Sequence, residues 1–535
     1  MLKADIVLFK LINLTKYAAY FLVLNKKGRA EIIMLHFLIK LSTHTKNSTM
    51  RTPITKYLFL IGLSLIICST HAQELPRELR GVWVATVLNI DWPSKAGLKP
   101  KAQKEEIDKQ LDYFENLGFN AIFFQIRPNS NRLYRGTQEP WAEWLSGKQG
   151  KGPWYDPLKS LIQASHKRGM ELHAWINPYR VLLDSSKVPK SRKNLVKKHP
   201  EWIVHYGKGA VLDPGIPAVR TYIAEIIGEL LQRYDLDGIH YDDYFYPYPY
   251  KGMPFPDEAT FKKYGSGFEN KADWRRNNVD ALIKATNNAI ISNRPRVKFG
   301  VSPFGVWRNI ASDSLGSETR AGAPTFDSLY TDTRKWLQNG WVDYIAPQLY
   351  WSIGFAPAAY EVLANWWADN AFNRHILIGQ AAYKVNNNYD SAWYNPSEIP
   401  NQIRLNRSLG KKIKGSIYFS AKQVIKNPNH LADSLKTHFY KEKALPPVLS
   451  WKPQQKSVQP NNLKIKEKGG KLMLKWKQPQ APIGLTEPAY YAICIKQEKQ
   501  YKIIKVLEAK KKKAFIDLTF KEQPIEVIGL NKHFN

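Results

Sequence analysis

Two adjacent carboxylates at the end of an apolar run are the residues of this chain best suited to chemistry. The stretch Leu236-Asp-Gly-Ile-His-Tyr-Asp-Asp-Tyr-Phe-Tyr-Pro247 reads as a strand running into a site. A parallel strand buried on both faces is a near-continuous apolar run, so polar side chains appear where the chain leaves the sheet. The proline and aromatics that follow continue neither a helix nor a central strand. His240, Asp242 and Asp243 therefore fall at a strand exit. Neighbouring carboxyls at such a place suit general acid and base work, one giving a proton and the other taking one or attacking. Side chains alternate along a strand, so Asp242 shares the side of His240. Asp243 joins them only if the strand has already ended.

The elements that must position this pair alternate along the chain. The segment 79–87 (Leu-Arg-Gly-Val-Trp-Val-Ala-Thr-Val) is apolar and β-rich, and 104–117 carries Ile107, Leu111, Phe114 and Leu117 at helical spacing before Gly118. Strand-like runs follow at 120–128 and 171–177, from Gly238 into the carboxylate stretch, and at 297–303, 342–349, 375–381 and 415–419. Helical stretches fall between them at 158–168, 219–234, 273–292, 331–339, 360–369 and 399–409. Eight strand candidates alternating with helices predict an α/β fold, a TIM (β/α)8 barrel spanning 79–440. In such barrels chemistry sits at the carboxy-terminal strand ends. The polar side chains collect there: Arg127 and Asn131, Asn177 and Tyr179, His240 with the two acids, Ser302, Gln348 with Tyr350 and Trp351.

With 535 residues, 44% of them hydrophobic, the chain can bury a large core and carry more than one domain. Its net charge of +33 is concentrated by lysines crowded into the first fifty and last hundred positions, and the stretch between them is much closer to balanced. The segment 441–460 reads as a linker rich in Pro, Lys and Gln. Alternating patches within 461–535 predict a small β-sandwich of the fibronectin type III kind. At the other end, Met50 is followed by Arg51 and Lys56, an apolar run to Cys68, and small residues up to Ala72. This is the pattern of a cleaved export leader at 50–72, which makes 1–49 an upstream extension. The expectation is an exported protein of the periplasm or cell envelope with no stable membrane span after cleavage. Ile67 stands before Cys68 where a lipid-anchoring site needs a small residue, and Cys494 is then the one cysteine left.

Several motifs together carry a family resemblance: Gly81-Val-Trp-Val-Ala-Thr-Val, Phe124-Gln-Ile-Arg-Pro128, Glu139-Pro-Trp141, Ala174-Trp-Ile-Asn-Pro-Tyr-Arg180, Gly238-Ile-His-Tyr-Asp-Asp-Tyr-Phe-Tyr-Pro247, Gly300-Val-Ser-Pro-Phe-Gly305 and Ala346-Pro-Gln-Leu-Tyr-Trp351. In order and spacing this set resembles glycosyl hydrolase-like family ten. The resemblance implies a TIM-barrel glycoside hydrolase of a bacterial cell-envelope polysaccharide, with peptide-free peptidoglycan strands as substrate. The family pattern usually has Asp where this chain has Asn131, a departure that keeps a non-catalytic glycan-binding protein open as the alternative.

Glycosidic cleavage commonly takes two carboxyl groups. Asp242 is the expected nucleophile or base. Its partner is Asp243 or Glu139, whose loop brings Trp141 and Trp144; Asp91, Asp213, Asp313 and Glu318 remain further candidates. Arg127, Asn131, Trp141, Asn177, Tyr179, His240, Tyr244, Gln348, Tyr350 and Trp351 are the expected sugar-binding set, the aromatics by stacking and the others by hydrogen bonds. No metal or cofactor is expected: His166 and His173 lack HExxH spacing, no CxxC pair exists, and no Gly-rich phosphate loop opens a helix. Nucleic acid is not an expected partner, since the barrel carries no basic helix or basic-aromatic sheet motif.

Overall fold

The computed structural model describes residues 74–187, 191–498 and 500–534. The expected leader and upstream extension lie outside them. Eight parallel strands close into a barrel: β1 (Leu79–Val84), β2 (Ala121–Arg127), β3 (Glu171–Ile176), β4 (Gly238–Tyr241), β5 (Lys298–Val301), β6 (Tyr344–Ile345), β7 (His375–Gln380) and β8 (Ile413–Tyr418). Each pairs with its neighbours in sequence, and β8 closes on β1 through Leu79 against Gly415. The strands are buried along nearly their whole length, as a sheet covered on one face by helices and filled on the other requires.

A helix follows each strand: α1 (Pro100–Leu117), α2 (Pro157–Lys167), α3 (Pro217–Arg233), α4 (Lys271–Asn293), α5 (Thr333–Gln338), α6 (Tyr360–Asp369), α7 (Glu398–Ser408) and α8 (Ala421–Lys426). Their ends are written locally. Proline opens α1, α2 and α3 at a position whose N–H has no helical partner. The Asp156 and Asn270 side chains accept from Lys159 N and Asp273 N at the starts of α2 and α4. Gly118 ends α1 at φ 90°, a conformation that favours glycine. Ile107, Leu111, Phe114 and Leu117 all face the core.

Two features lie beyond the sequence reading. Between β3 and α3 the chain makes a small antiparallel sheet from Arg180–Leu182, Ile203–Tyr206 and Gly209–Leu212, whose strands are too short to show a period. The barrel interior is also polar at its axis. His173 Nδ1 and His240 Nδ1 lie 2.9 and 3.1 Å from the Tyr344 hydroxyl. These rings fit because β4 and β5 carry glycine beside them. A Cβ on Gly238 would lie 2.2 Å from His173 Nδ1, and one on Gly300 would lie 2.1 Å from the Tyr344 ring.

After the barrel, 441–460 runs without regular strands along the amino-terminal strand ends, where Trp451 Nε1 donates to Asp343 Oδ1 at 2.7 Å. Six strands follow: β9 (Asn461–Lys468), β10 (Lys471–Lys477), β11 (Tyr490–Lys496), β12 (Tyr501–Glu508), β13 (Lys513–Asp517) and β14 (Ile525–Leu530). They form two three-stranded antiparallel sheets, β9-β10-β13 and β12-β11-β14. Leu472, Leu474 and Trp476 from one pack with Tyr491, Ile493 and Leu507 from the other.

Candidate active site

The carboxy-terminal end of the barrel opens into a cavity of about 550 Å³. Asp242, Asp243, Tyr244, Gln348 and Tyr350 line it, with Trp83, Gln125, Trp175, Arg180, Tyr248, Ser302, Phe304 and Phe419. Among the described residues at its wall, Asp242 and Asp243 are the only acids. β4 stops at Tyr241, so strand alternation no longer applies and both carboxyls reach the same space.

Asp242 is fixed by a relay that crosses four strands. Thr86 N and Val87 N, just past β1, each donate to Gln125 Oε1 at 3.0 Å. Gln125 Nε2 donates to Asn177 Oδ1 at 2.8 Å, and Asn177 Nδ2 donates to Asp242 Oδ2 at 3.1 Å. The other oxygen, Oδ1, accepts from the Asp243 backbone N at 2.8 Å. Asp243 has the opposite electrostatic setting. Burial, then the charge of Asp242 beside it, push its carboxyl well above the usual range. The Tyr248 hydroxyl, which donates to Asp243 Oδ2, and the Arg180 guanidinium offset this only in part. Asp243 is therefore the carboxyl of the pair that keeps its proton, the setting of the acid in paired carboxylates.

Arg180 also lies 3.6 Å from the centre of the Tyr244 ring, fixing that ring at the rim. Trp83, Trp175, Tyr350 and Phe419 form an aromatic floor, with Phe419 6.3, 6.5 and 6.4 Å from Trp83, Trp175 and Tyr350. Trp175 is buried, and its indole N–H has no partner. Gln348 is tied by Nε2 to Ser302 O at 2.9 Å, which leaves its carbonyl oxygen for the cavity.

A second cavity of about 450 Å³ adjoins the first, with Leu88 and Leu183 lining both. Asn131 lines it, donating by Nδ2 to Glu143 Oε2 at 3.0 Å and accepting from Asn129 N at 3.2 Å. Asn129 Oδ1 and Trp144 Nε1, also on its wall, are buried without partners.

Other expected site residues are placed elsewhere. Glu139 is buried in a bidentate ion pair with Arg127, at 2.5 and 2.8 Å, and takes a third contact from Tyr222. Arg127 also donates to Asn177 O and Pro178 O at 2.6 and 2.9 Å. This closed pair fastens the β2 exit loop to the end of β3, and neither partner lines the mouth. Trp141 packs under the Arg132 guanidinium, Tyr179 is buried in the core, and Trp351 packs edge-on to Phe304. Asn177 acts behind Asp242 rather than in the cavity. His240 lies one layer down: Trp83 Nε1 donates to its Nε2 at 3.1 Å, and burial, with His173 nearby, holds it neutral. Asp91 is likewise occupied, by Ala85 N, Ser420 Oγ and Lys422 N.

The sequence reading missed Trp83, Trp175 and Tyr248. The first two had a usable signal, since each is the inward-facing residue near the carboxy-terminal end of its strand. Tyr248 had none, because its reach back to Asp243 depends on how the proline-rich loop folds. Among the described residues no group of three or more His, Cys, Asp or Glu could hold a metal ion.

Residues 78–395 match the profile of the family described as Glycosyl hydrolase-like 10. The glycosyl hydrolase YngK of Bacillus subtilis (strain 168) is 46% identical over 86% of this chain and 91% of its own length. The glycosyl hydrolase DigH of Escherichia coli (strain K12) is 37% identical over 70% of this chain and 94% of its own. A solved glycoside hydrolase domain of PgaB from Bordetella bronchiseptica is a remote match, 13% identical at a TM-score of 0.41, covering 68% of this chain and 98% of that one. On the profile match and the identity to YngK, the chain belongs to the glycosyl hydrolase-like 10 family.

Proposed function

We propose that this chain is an exported glycoside hydrolase that cleaves a bacterial cell-envelope polysaccharide, peptide-free peptidoglycan strands above all. One observation carries the reading: two touching carboxyls at the barrel mouth, one held protonated by burial and by the charge of the other. A proton donor next to a charged carboxylate is what breaking an acetal linkage requires. Asp243 is the general acid, and Asp242 stabilises the positive charge that develops at the anomeric carbon. Tyr244 and Tyr350 offer faces for sugar rings, and Gln348 and Ser302 supply hydrogen bonds.

A polymer fits better than a single sugar. At Leu88 and Leu183 the mouth adjoins the cavity of Asn129 and Trp144, whose unpartnered atoms suit sugar hydroxyls. The relatives named as glycosyl hydrolases support the reaction class. Export rests on the leader-like sequence at 50–72.

The test is incubation of purified protein with peptide-free peptidoglycan strands, with Asp242→Asn alongside. New reducing ends from the native protein, and none from the variant, are expected. Strand binding without new reducing ends from either would establish a glycan-holding protein on a hydrolase scaffold instead.

A further inference from the structure

Glycosidases that use two carboxyls place them on opposite sides of the scissile bond, about 5–5.5 Å apart for retention or about 6.5–9.5 Å for inversion. The mouth of this barrel does not offer that. Its acids are consecutive residues on one loop, with their carboxyls in hydrogen-bond contact. No sugar carbon fits between groups at that distance, and no third acid among the described residues lines the cavity. In the adjoining cavity Glu143 is engaged by Asn131, and Asp184 by Ser186 and Lys187. The nucleophile has to come from elsewhere.

We propose that the substrate supplies it: the site cleaves the bond on the anomeric carbon of a 2-acetamido-2-deoxy sugar, and the acetamido oxygen attacks that carbon. This rests on the hydrolase reading above and narrows it. Asp242 accepts the acetamido N–H. Of the four lone-pair sites on its oxygens, Asn177 and the Asp243 backbone N–H take one each and the Asp243 carboxyl a third, which leaves one for the acetamido N–H. Those bonds fix the carboxylate against rotation. The acetyl methyl rests on the aromatic floor of Trp83, Trp175 and Phe419, and the free Trp175 indole N–H is a donor for the bound sugar.

The electron count closes. The acetamido oxygen forms a bond to the anomeric carbon as the glycosidic C–O bond breaks, and Asp243 gives its proton to the leaving oxygen. The resulting oxazolinium shares its N–H with charged Asp242. Water then attacks the anomeric carbon and returns a proton to Asp243. The ring C–O bond breaks, the acetamide re-forms, and the anomeric configuration is retained.

The test compares peptide-free glycan strands with the same strands chemically N-deacetylated, adds the thiazoline of N-acetylglucosamine as a stable mimic of the cyclic intermediate, and reads the first-formed anomer by NMR. Cleavage of deacetylated strands at least ~100-fold slower is expected, since the intramolecular nucleophile is gone. Competitive inhibition by the thiazoline and retention are also expected. Asp242→Asn should lose turnover and thiazoline affinity together while keeping the native melting temperature. Equal cleavage of both strand types, inversion, or a covalent glycosyl adduct on Asp242 overturns substrate assistance and leaves a hydrolase. No cleavage of either strand type overturns the hydrolase reading and this one with it.

Discussion

At the amino-terminal end of the barrel Glu171 lies between Lys298 Nζ, at 2.6 and 2.7 Å, and His173 Nε2, at 3.1 Å. Burial works against its charge, yet Lys298 and His173 hold its carboxyl below the usual range. Asp237, just before β4, is equally buried, and His166 and Lys532 hold it below the usual range as well, against the burial. Asp343, before β6, is covered by the segment after the barrel, with Lys452 at 2.9 Å and Trp451 at 2.7 Å. At the other end Asp243 is buried to a similar degree and is displaced upward. Residue type and burial match at the two ends; the company differs. One end gives each acid an opposite charge, whereas the other gives Asp243 a like charge. Buried acids matched by counter-ions hold the fold, and a buried acid whose neighbouring carboxylate outweighs the nearby cation is a proton store.

The largest expected effect separates the ends by activity. Asp243→Asn should lower turnover by about 10²–10⁴-fold, the range for a lost general acid, with the fold intact. Assay of reducing ends beside circular dichroism checks it; near-native turnover would mean that the mouth is not the catalytic end.

Breaking a closed pair should do the reverse. Glu171→Gln leaves Lys298 charged and buried without its counter-ion, and Glu139→Ala does the same to Arg127. Each should cost about 3–5 kcal/mol of stability in denaturant melts while folded molecules keep their turnover. Loss of turnover without loss of stability in Glu139→Ala would restore Glu139 to the catalytic set.

Acid should also strip the two ends differently. Asp237 is depressed in the fold, so its contribution is present above the unfolded carboxylate range, near pH 3.9, and is lost as pH falls below it. Its partner His166 is raised: burial opposes its charge, but Asp237 outweighs burial. That contribution is complete below about pH 6.5 and fades as pH rises past the folded value. Asp243 has the opposite sign for a carboxyl, because its raised value costs stability once the unfolded chain ionises. Asp243→Asn should therefore stabilise the protein at neutral pH by about 1 kcal/mol, and the gain should vanish below pH ~4. Melting curves across pH 3–8 measure both.

The smallest effect sharpens the mouth alone. Tyr248 lowers Asp243 by donating to it, so Tyr248→Phe should move the alkaline limb of the kcat/KM profile to higher pH. An unmoved limb would show that another group sets it.

How much of this could be read from the chain follows from the range of the forces involved. Strand-helix alternation, the glycine stop after the first helix, and the meeting of polar residues at strand exits are local, because a strand buried on both faces must be apolar until it leaves the sheet. That was enough to fix the barrel and to single out Asp242 and Asp243. Local pattern could not sort the other exit residues. Arg127 and Glu139 are both polar and lie at or beyond the β2 exit, yet they satisfy each other inside the wall. His240 has the parity of Asp242 but sits one layer deeper, under Trp83. Sequence distinguishes neither case, because each depends on a partner brought close by the fold, 157 residues away for His240 and Trp83.

The sequence by itself determined where the acids are and which end of the barrel they occupy, since both follow from burial and strand direction. Tertiary structure alone decided what each acid does. The end of β4 at Tyr241 turns two alternating neighbours toward one buried cavity, where Asp243 meets the charge of Asp242 beside it, and a long-range contact gives Glu171 the Lys298 cation. Protonation in a buried site depends on charges within a few ångströms, and which charges those are is settled only when distant strands meet.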